Sequence, residues 1–222
     1  MVGLSGTSLT GRVRTTILAL DVMVACLASI FFLDLKLVQF AVAERDSVTA
    51  VAMRLIPDLG SPEALMNLVL PLAAVTFLRS EGIAANRTLL LFGTVSTSHL
   101  IADLFKFLFG RCRPDLFFAN GLYGFDFFKW DYAFHSFPSA HAAIATGLAA
   151  ALSYVYPARK LTIMTGGFAL AVFPVATGVH FLSDAVFGFS IGVLSAAAFK
   201  AAMGWFGLPI TDATTESSGV ES

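Results

Sequence analysis

Six stretches of this 222-residue chain, at roughly 15–35, 62–80, 87–108, 139–157, 161–181 and 184–205, are apolar runs of nearly bilayer-spanning length. A helix needs about 20 mostly apolar residues to cross the hydrocarbon core. In lipid every backbone polar group must bond within the protein, which leaves the helix as the local solution for such a run. Composition points the same way: 57% of residues are hydrophobic and 13% charged, where a soluble domain carries about 25% charged residues. Mean hydropathy is +0.79. The expectation is an all-α polytopic membrane protein, a bundle of six transmembrane helices. The second run holds Pro71, which a helix inside a bundle tolerates. Ala41-Val42-Ala43 has the form of a leader-cleavage site, but the run before it exceeds the roughly 7–15 residues of a leader's apolar core. That run is therefore counted as an uncleaved first span.

Lysine and arginine placement orients the bundle, because cytoplasmic loops collect positive charge. Arg12 and Arg14 precede the first run, Arg79 and Arg87 separate the second and third, and Arg159 and Lys160 separate the fourth and fifth. With six spans these sites and Lys200 fall on one face, the cytoplasmic one, and both termini lie inside. Residues 36–61 lie opposite, with Val48, Val51, Ala52, Leu55 and Ile56 at helical spacing among Glu44, Arg45, Asp46 and Arg54. That pattern predicts an amphipathic helix on the outer interface. Residues 1–210 form one membrane domain, and the polar tail 211–222 reads as disordered. The net charge of −1 offers no basic surface to nucleic acid. Cys26 and Cys112 provide neither a disulfide framework nor a paired metal spacing, and Cys26 reads as a small packing residue.

On the outer face this topology gathers three segments that are distant in sequence. KFLFGRCRPD (Lys106 to Asp115) leaves the third run, FPSAHAA (Phe137 to Ala143) enters the fourth, and GVHFLSDAVFG (Gly178 to Gly188) joins the fifth and sixth. Lys106 and Arg113 are donors without acceptor capacity, suited to phosphate oxygens. Pro138-Ser139 reads as a helix start, with a hydroxyl and free N–H groups at the positive end of the dipole. His180 and Asp184, four apart, share a helical face, where the carboxylate can hold one imidazole nitrogen and leave the other nucleophilic. His141 is a second imidazole, available as general acid. Together these residues make a metal-free phosphoryl-transfer site.

Lys106, six residues, then Arg113-Pro114; Pro138-Ser139-Ala140-His141; and His180, three residues, Asp184 resemble the three signature motifs of the type 2 phosphatidic acid phosphatase family, integral-membrane lipid phosphate phosphatases. The likeness runs over about residues 100–190. It implies that Lys106, Arg113 and Ser139 hold phosphate oxygens and that His180 attacks phosphorus to form a phosphohistidine. By the same likeness Asp184 orients His180, His141 protonates the leaving alcohol, and no metal or other cofactor is needed. The implied partner is a phospholipid or isoprenoid-phosphate substrate in the membrane; a short chain without a glycosylation-rich exterior fits a bacterial inner membrane, and the charge placement puts the site on the periplasmic face. Phosphotransfer to a second lipid and a non-catalytic lipid-binding scaffold are the alternatives.

Two positions depart from the family pattern. Ala140 stands where the second motif has glycine, and Phe173-Pro174 stands where the third has Ser-Arg. Arg111 is the expected replacement for the missing phosphate-binding arginine, with His135 as another nearby cation source. Lys106 can instead pair locally with Asp103. His99 and Asp21, inside the third and first runs, read as buried structural residues. The aromatic loop 114–138 belongs at the membrane interface, with a lid over the phosphate as the alternative.

Overall fold

The computed structural model describes residues 9–43 and 81–211, together with positions 71, 74–76, 78 and 79. The expected interfacial helix at Val48 to Ile56, most of the second run and the tail beyond Thr211 lie outside the described residues. Among the described residues the structure is all-α, with a single isolated β-bridge joining Arg111 to Phe125.

The first helix is longer than its apolar run predicts. It consists of α1 (Leu9–Ala28), a π-helical turn (Ser29–Leu33) and α2 (Asp34–Ala43). Its buried positions, Cys26, Ser29, Asp34 and Val38, are spaced by three, five and four. The step of five crosses the π turn, whose extra residue rotates the following face. That rotation brings Asp34 onto the bundle. Phe31 and Phe32 on the same turn are 74% and 67% exposed, an outward apolar face of the kind lipid covers.

Four further long or central helices follow the sequence expectation closely. They are α3 (Gly82–Phe109), α5 (Ala140–Val155), α6 (Lys160–Ala176) and α7 (Leu182–Trp205), with the short α4 (Pro114–Asn120) between α3 and α5. By length and composition α3 and α7 can cross a membrane; α5 is apolar but shorter. Helix α5 is central, packing against α3, α6 and α7, and most of its alanine-rich surface is buried. Small residues let backbones approach where lipid gives no hydrophobic drive between helices. At the α5–α7 crossing a Cβ on Gly192 would fall 2.4 Å from the Ala143 carbonyl oxygen and 2.5 Å from Gly147 N. Backbone cannot retreat as a side chain can. Gly192→Ala is therefore expected to cost about 1–3 kcal/mol through overpacking and to lower the Tm of the purified protein in detergent. An unchanged Tm would refute that close crossing.

The bundle has two chemically different ends. At one, Arg87 Nε donates to the Ile210 carbonyl at 2.8 Å and Lys200 Nζ sits 4.3 Å from the Tyr154 ring centroid. At the other, the end of α3 and the starts of α5 and α7 converge.

Candidate active site

Gly110 ends α3 in a left-handed conformation with φ +55°, and a Cβ there would overlap the Asp126 carbonyl. Only glycine fits both constraints. The chain beyond it is locked residue by residue. Asp126 N donates to the Gly110 carbonyl at 2.8 Å, Cys112 N to Gly124 O at 3.1 Å, Arg113 N to Ala133 O at 2.9 Å, and Ser136 N to Arg111 O at 3.1 Å. The aromatic loop thus forms a scaffold around residues 110–113. Phe109, Phe125, Phe127 and Phe137 meet there ring against ring.

Arg113 is buried and held by that loop. Its Nε donates to the Tyr132 carbonyl at 3.2 Å, Nη2 to the His135 carbonyl at 3.4 Å, and its guanidinium lies 3.9 Å from the Tyr132 ring centroid. Lys106, in the last turn of α3, pairs with Asp103 at 2.9 Å. The local ion pair expected as an alternative is present, and both cations still lie close enough to bear on His180 electrostatically.

Ser139 caps α5, its hydroxyl accepting from Ala142 N at 3.4 Å, while Ser139 N donates to the Asp184 carbonyl at 3.0 Å. That bond joins the second motif to the third. Ala140, at the usual glycine position, buries its methyl in a cluster with Ala102, Ala143 and Ile191, so the departure is absorbed by the core. His141, half-buried, stands in the first turn of α5.

His180 precedes α7 and is buried. Its backbone N and that of Val179 donate to the carbonyl of Pro174 at 3.1 and 2.9 Å. The residue that replaces the family arginine therefore seats the histidine through its backbone. His180 Nδ1 lies 3.3 Å from Asp184 Oδ2. Burial lowers the His180 pKa below its ordinary value, and Arg113 and Lys106 add to the effect against the opposing pull of Asp184.

Asp184 is completely buried and takes four donors. Oδ2 accepts from Ser136 Oγ at 2.6 Å and Phe181 N at 2.9 Å as well as facing His180, and Oδ1 accepts from Arg111 Nη1.

Several expectations require correction. Arg111 is no phosphate ligand: it is fully buried, paired with Asp184 and with Asp34 at 2.7 Å. A guanidinium committed to two carboxylates has no fork to offer an anion. Burial alone would lower its pKa, but Asp184 and Asp34 outweigh that and hold it above the usual arginine value. His135 turns its Nε2 to the Lys129 carbonyl at 3.0 Å. His99 pairs with Asp103 on its own helix at 3.3 Å. Asp21 is exposed, lining an apolar cavity of about 440 Å³ between α1, α6 and α7. Ser136, Ser183, Tyr123 and Asp34 were not singled out in the sequence. Asp34, a carboxylate at the end of an apolar run, carried the most visible signal.

Comparison with known proteins bears on the family resemblance. A sequence model described as the PAP2 superfamily matches residues 87–207. A lipid A 1-phosphatase of Rhizobium etli is 34% identical over 118 residues, covering 53% of this chain and 46% of the relative. One from Rhizobium johnstonii is 35% identical over 102 residues, 46% of this chain and 42% of the relative. The chain spans less than half the length of these curated relatives. No solved structure matches it significantly.

Proposed function

The chain belongs to the PAP2 superfamily, and from that premise we propose that it is a membrane-embedded lipid phosphate phosphatase acting through a phosphohistidine without a metal. The observation that carries the reading is the bond from Ser139 N to the Asp184 carbonyl. It ties the helix-start motif to the His180–Asp184 pair, beside the segment bearing Lys106 and Arg113. The segments that carry the three motifs meet at one end of the bundle, which supports reading them as one site.

In the proposed reaction Asp184 keeps the proton on His180 Nδ1, leaving the Nε2 lone pair for phosphorus. Nε2 forms the P–N bond as the P–O bond to the lipid alcohol breaks, and His141 delivers a proton to the departing oxygen. Lys106, Arg113 and the Ser139 end of α5 stabilise charge on the phosphoryl oxygens. Water then attacks phosphorus, His141 takes its proton, and phosphate leaves with His180 restored. The substrate is a lipid phosphomonoester or diphosphate. The names of the Rhizobium relatives put lipid A phosphate first among the candidates, ahead of phosphatidate, phosphatidylglycerophosphate and polyprenyl diphosphate.

The same reading takes residues 1–210 as one six-span domain in a bacterial inner membrane. The apolar faces of α1, α3 and α7 and the cations Arg87 and Lys200 at the end away from the site support a periplasmic placement. A lipid-binding scaffold is the second reading, and Pro174 in the arginine position favours it. Phosphate release from these four candidate lipids by the wild type and by His180→Ala separates the two. Equal rates would favour the scaffold, and lipid-alcohol-dependent loss of free phosphate would indicate phosphotransfer.

The acidic limb of kcat/KM follows from His180. Protonation removes its lone pair, so the rate falls as pH drops through its pKa. Burial, Arg113 and Lys106 depress that pKa from the ordinary 6.5, so the limb is expected below pH 6.5, and Arg113→Ala should move it upward. A limb at or above the ordinary histidine value would contradict a buried neutral nucleophile.

A further inference from the structure

The N-terminal helix reaches the site through Asp34, which lies outside the segment matched by the family. Asp34 is fully buried. Its Oδ1 accepts from Ser183 N at 2.9 Å, in the first turn of α7, where unpaired N–H groups favour an anion. Its Oδ2 accepts from Arg111 Nη2 at 2.7 Å and from Ser183 Oγ. Arg111 in turn bridges to the catalytic carboxylate. Nη1 donates to Asp184 Oδ1 and to Ser183 Oγ, and Nη2 donates to Asp34 and to Tyr123 OH. All four terminal guanidinium hydrogens are committed.

The rest of the cage holds this geometry rigid. The Arg111 guanidinium lies 4.5 Å from the Phe181 ring centroid, with Tyr123, Phe125 and Phe137 around it. Tyr123 OH is also 2.8 Å from the Ile30 carbonyl, on the π turn that rotates Asp34 inward. Burial is the main cause that pushes the Tyr123 phenol up to about 12, so it remains a neutral donor. Two carboxylates share one cation here, and a buried excess of negative charge persists only where geometry and hydrogen bonds satisfy it. Such a network has one arrangement, and that arrangement determines where Asp184 Oδ2 points.

We propose that Asp34 and Arg111 form a positioning relay behind Asp184, through which the N-terminal helix holds Asp184 Oδ2 on His180 Nδ1. The relay rests on the phosphatase reading for its effect on rate, but its effect on the imidazole proton does not depend on turnover. Arg111 acts on the reaction only through Asp184, and Asp34 only through Arg111 and the start of α7.

The test uses the full chain in detergent or nanodiscs, with Asp34→Asn, Arg111→Lys and the double variant. Asp34→Asn is nearly isosteric, which guards against simple misfolding. Each single variant is expected to lower kcat per folded molecule about tenfold or more, in the range of lost support to a functional ligand. KM and the inhibition constant of inorganic phosphate, the product, should stay within about threefold. The double variant should lose less than the product of the single losses, because both changes break one network. Nitrogen NMR of histidine-labelled protein should find His180 protonated at Nδ1 in the wild type and as mixed tautomers in the variants. Weakened inhibition by inorganic phosphate in step with kcat would overturn the relay in favour of a phosphate contact. An unchanged His180 tautomer in both single variants would overturn it whatever the activity. A wild type no faster than His180→Ala would instead refute the phosphatase reading, and the tautomer would still decide the relay.

Discussion

His180→Ala is expected to reduce lipid phosphate release by about 10⁴-fold or more, as loss of a covalent nucleophile does in enzymes whose catalytic groups act as a unit. The remaining binding groups cannot substitute. In the proposed mechanism Lys106, Arg113 and Ser139 stabilise charge on a phosphoryl group but form no bond to phosphorus. The expected split is a collapse of kcat with little change in KM, since His180 contributes mainly in the transition state. Alkaline quenching during turnover should trap phosphate on a histidine in the wild type and none in His180→Ala. Variant turnover within about tenfold of the wild type, or label on His141 instead, would remove His180 from the nucleophile's role.

Asp184→Asn should be nearly as severe, by about 10³- to 10⁴-fold in kcat, the scale seen when an orienting carboxylate becomes an amide. The four donors around Asp184 explain why. Asp184 Oδ2 faces Ser136 Oγ, Phe181 N and His180 Nδ1, and Oδ1 faces Arg111. An amide nitrogen at the first position opposes the Phe181 N–H and drives the imidazole proton from Nδ1 to Nε2, which removes the attacking lone pair. At the second position it opposes Arg111. Either orientation also loses a charge-assisted hydrogen bond, worth about 1.5–3 kcal/mol, so Tm in detergent should fall with kcat. Retention of a tenth or more of wild-type kcat would show that Asp184 does not set the tautomer.

The helical plan was legible because hydrocarbon imposes a length and a composition on each element. The third, fourth, fifth and sixth runs became α3, α5, α6 and α7 within a few residues. Motif spacing also identified Lys106, Arg113, Ser139, His141, His180 and Asp184 as one group, and the structure brings the segments that carry them to the same end of the bundle. The failures have a common origin. Arg111 sits two residues from Arg113 and carries the same charge, yet one side chain rests on a loop carbonyl and a tyrosine ring while the other is sealed between two carboxylates. Asp34 has no partner within local reach in the sequence, since Arg111 and Ser183 are 77 and 149 positions away.

By itself the sequence determined where the long helices of the described residues lie, which residues match the family's phosphate-handling motifs, and that an arginine expected at Pro174 is missing. These properties reside in local composition and short-range spacing. Tertiary structure decided which charge meets which. It seated His180 on the Pro174 carbonyl, turned the Ala140 methyl into the core, and used a π turn to rotate Asp34 onto Arg111. The energy of a charge depends on neighbours that only the folded chain brings within a few ångströms.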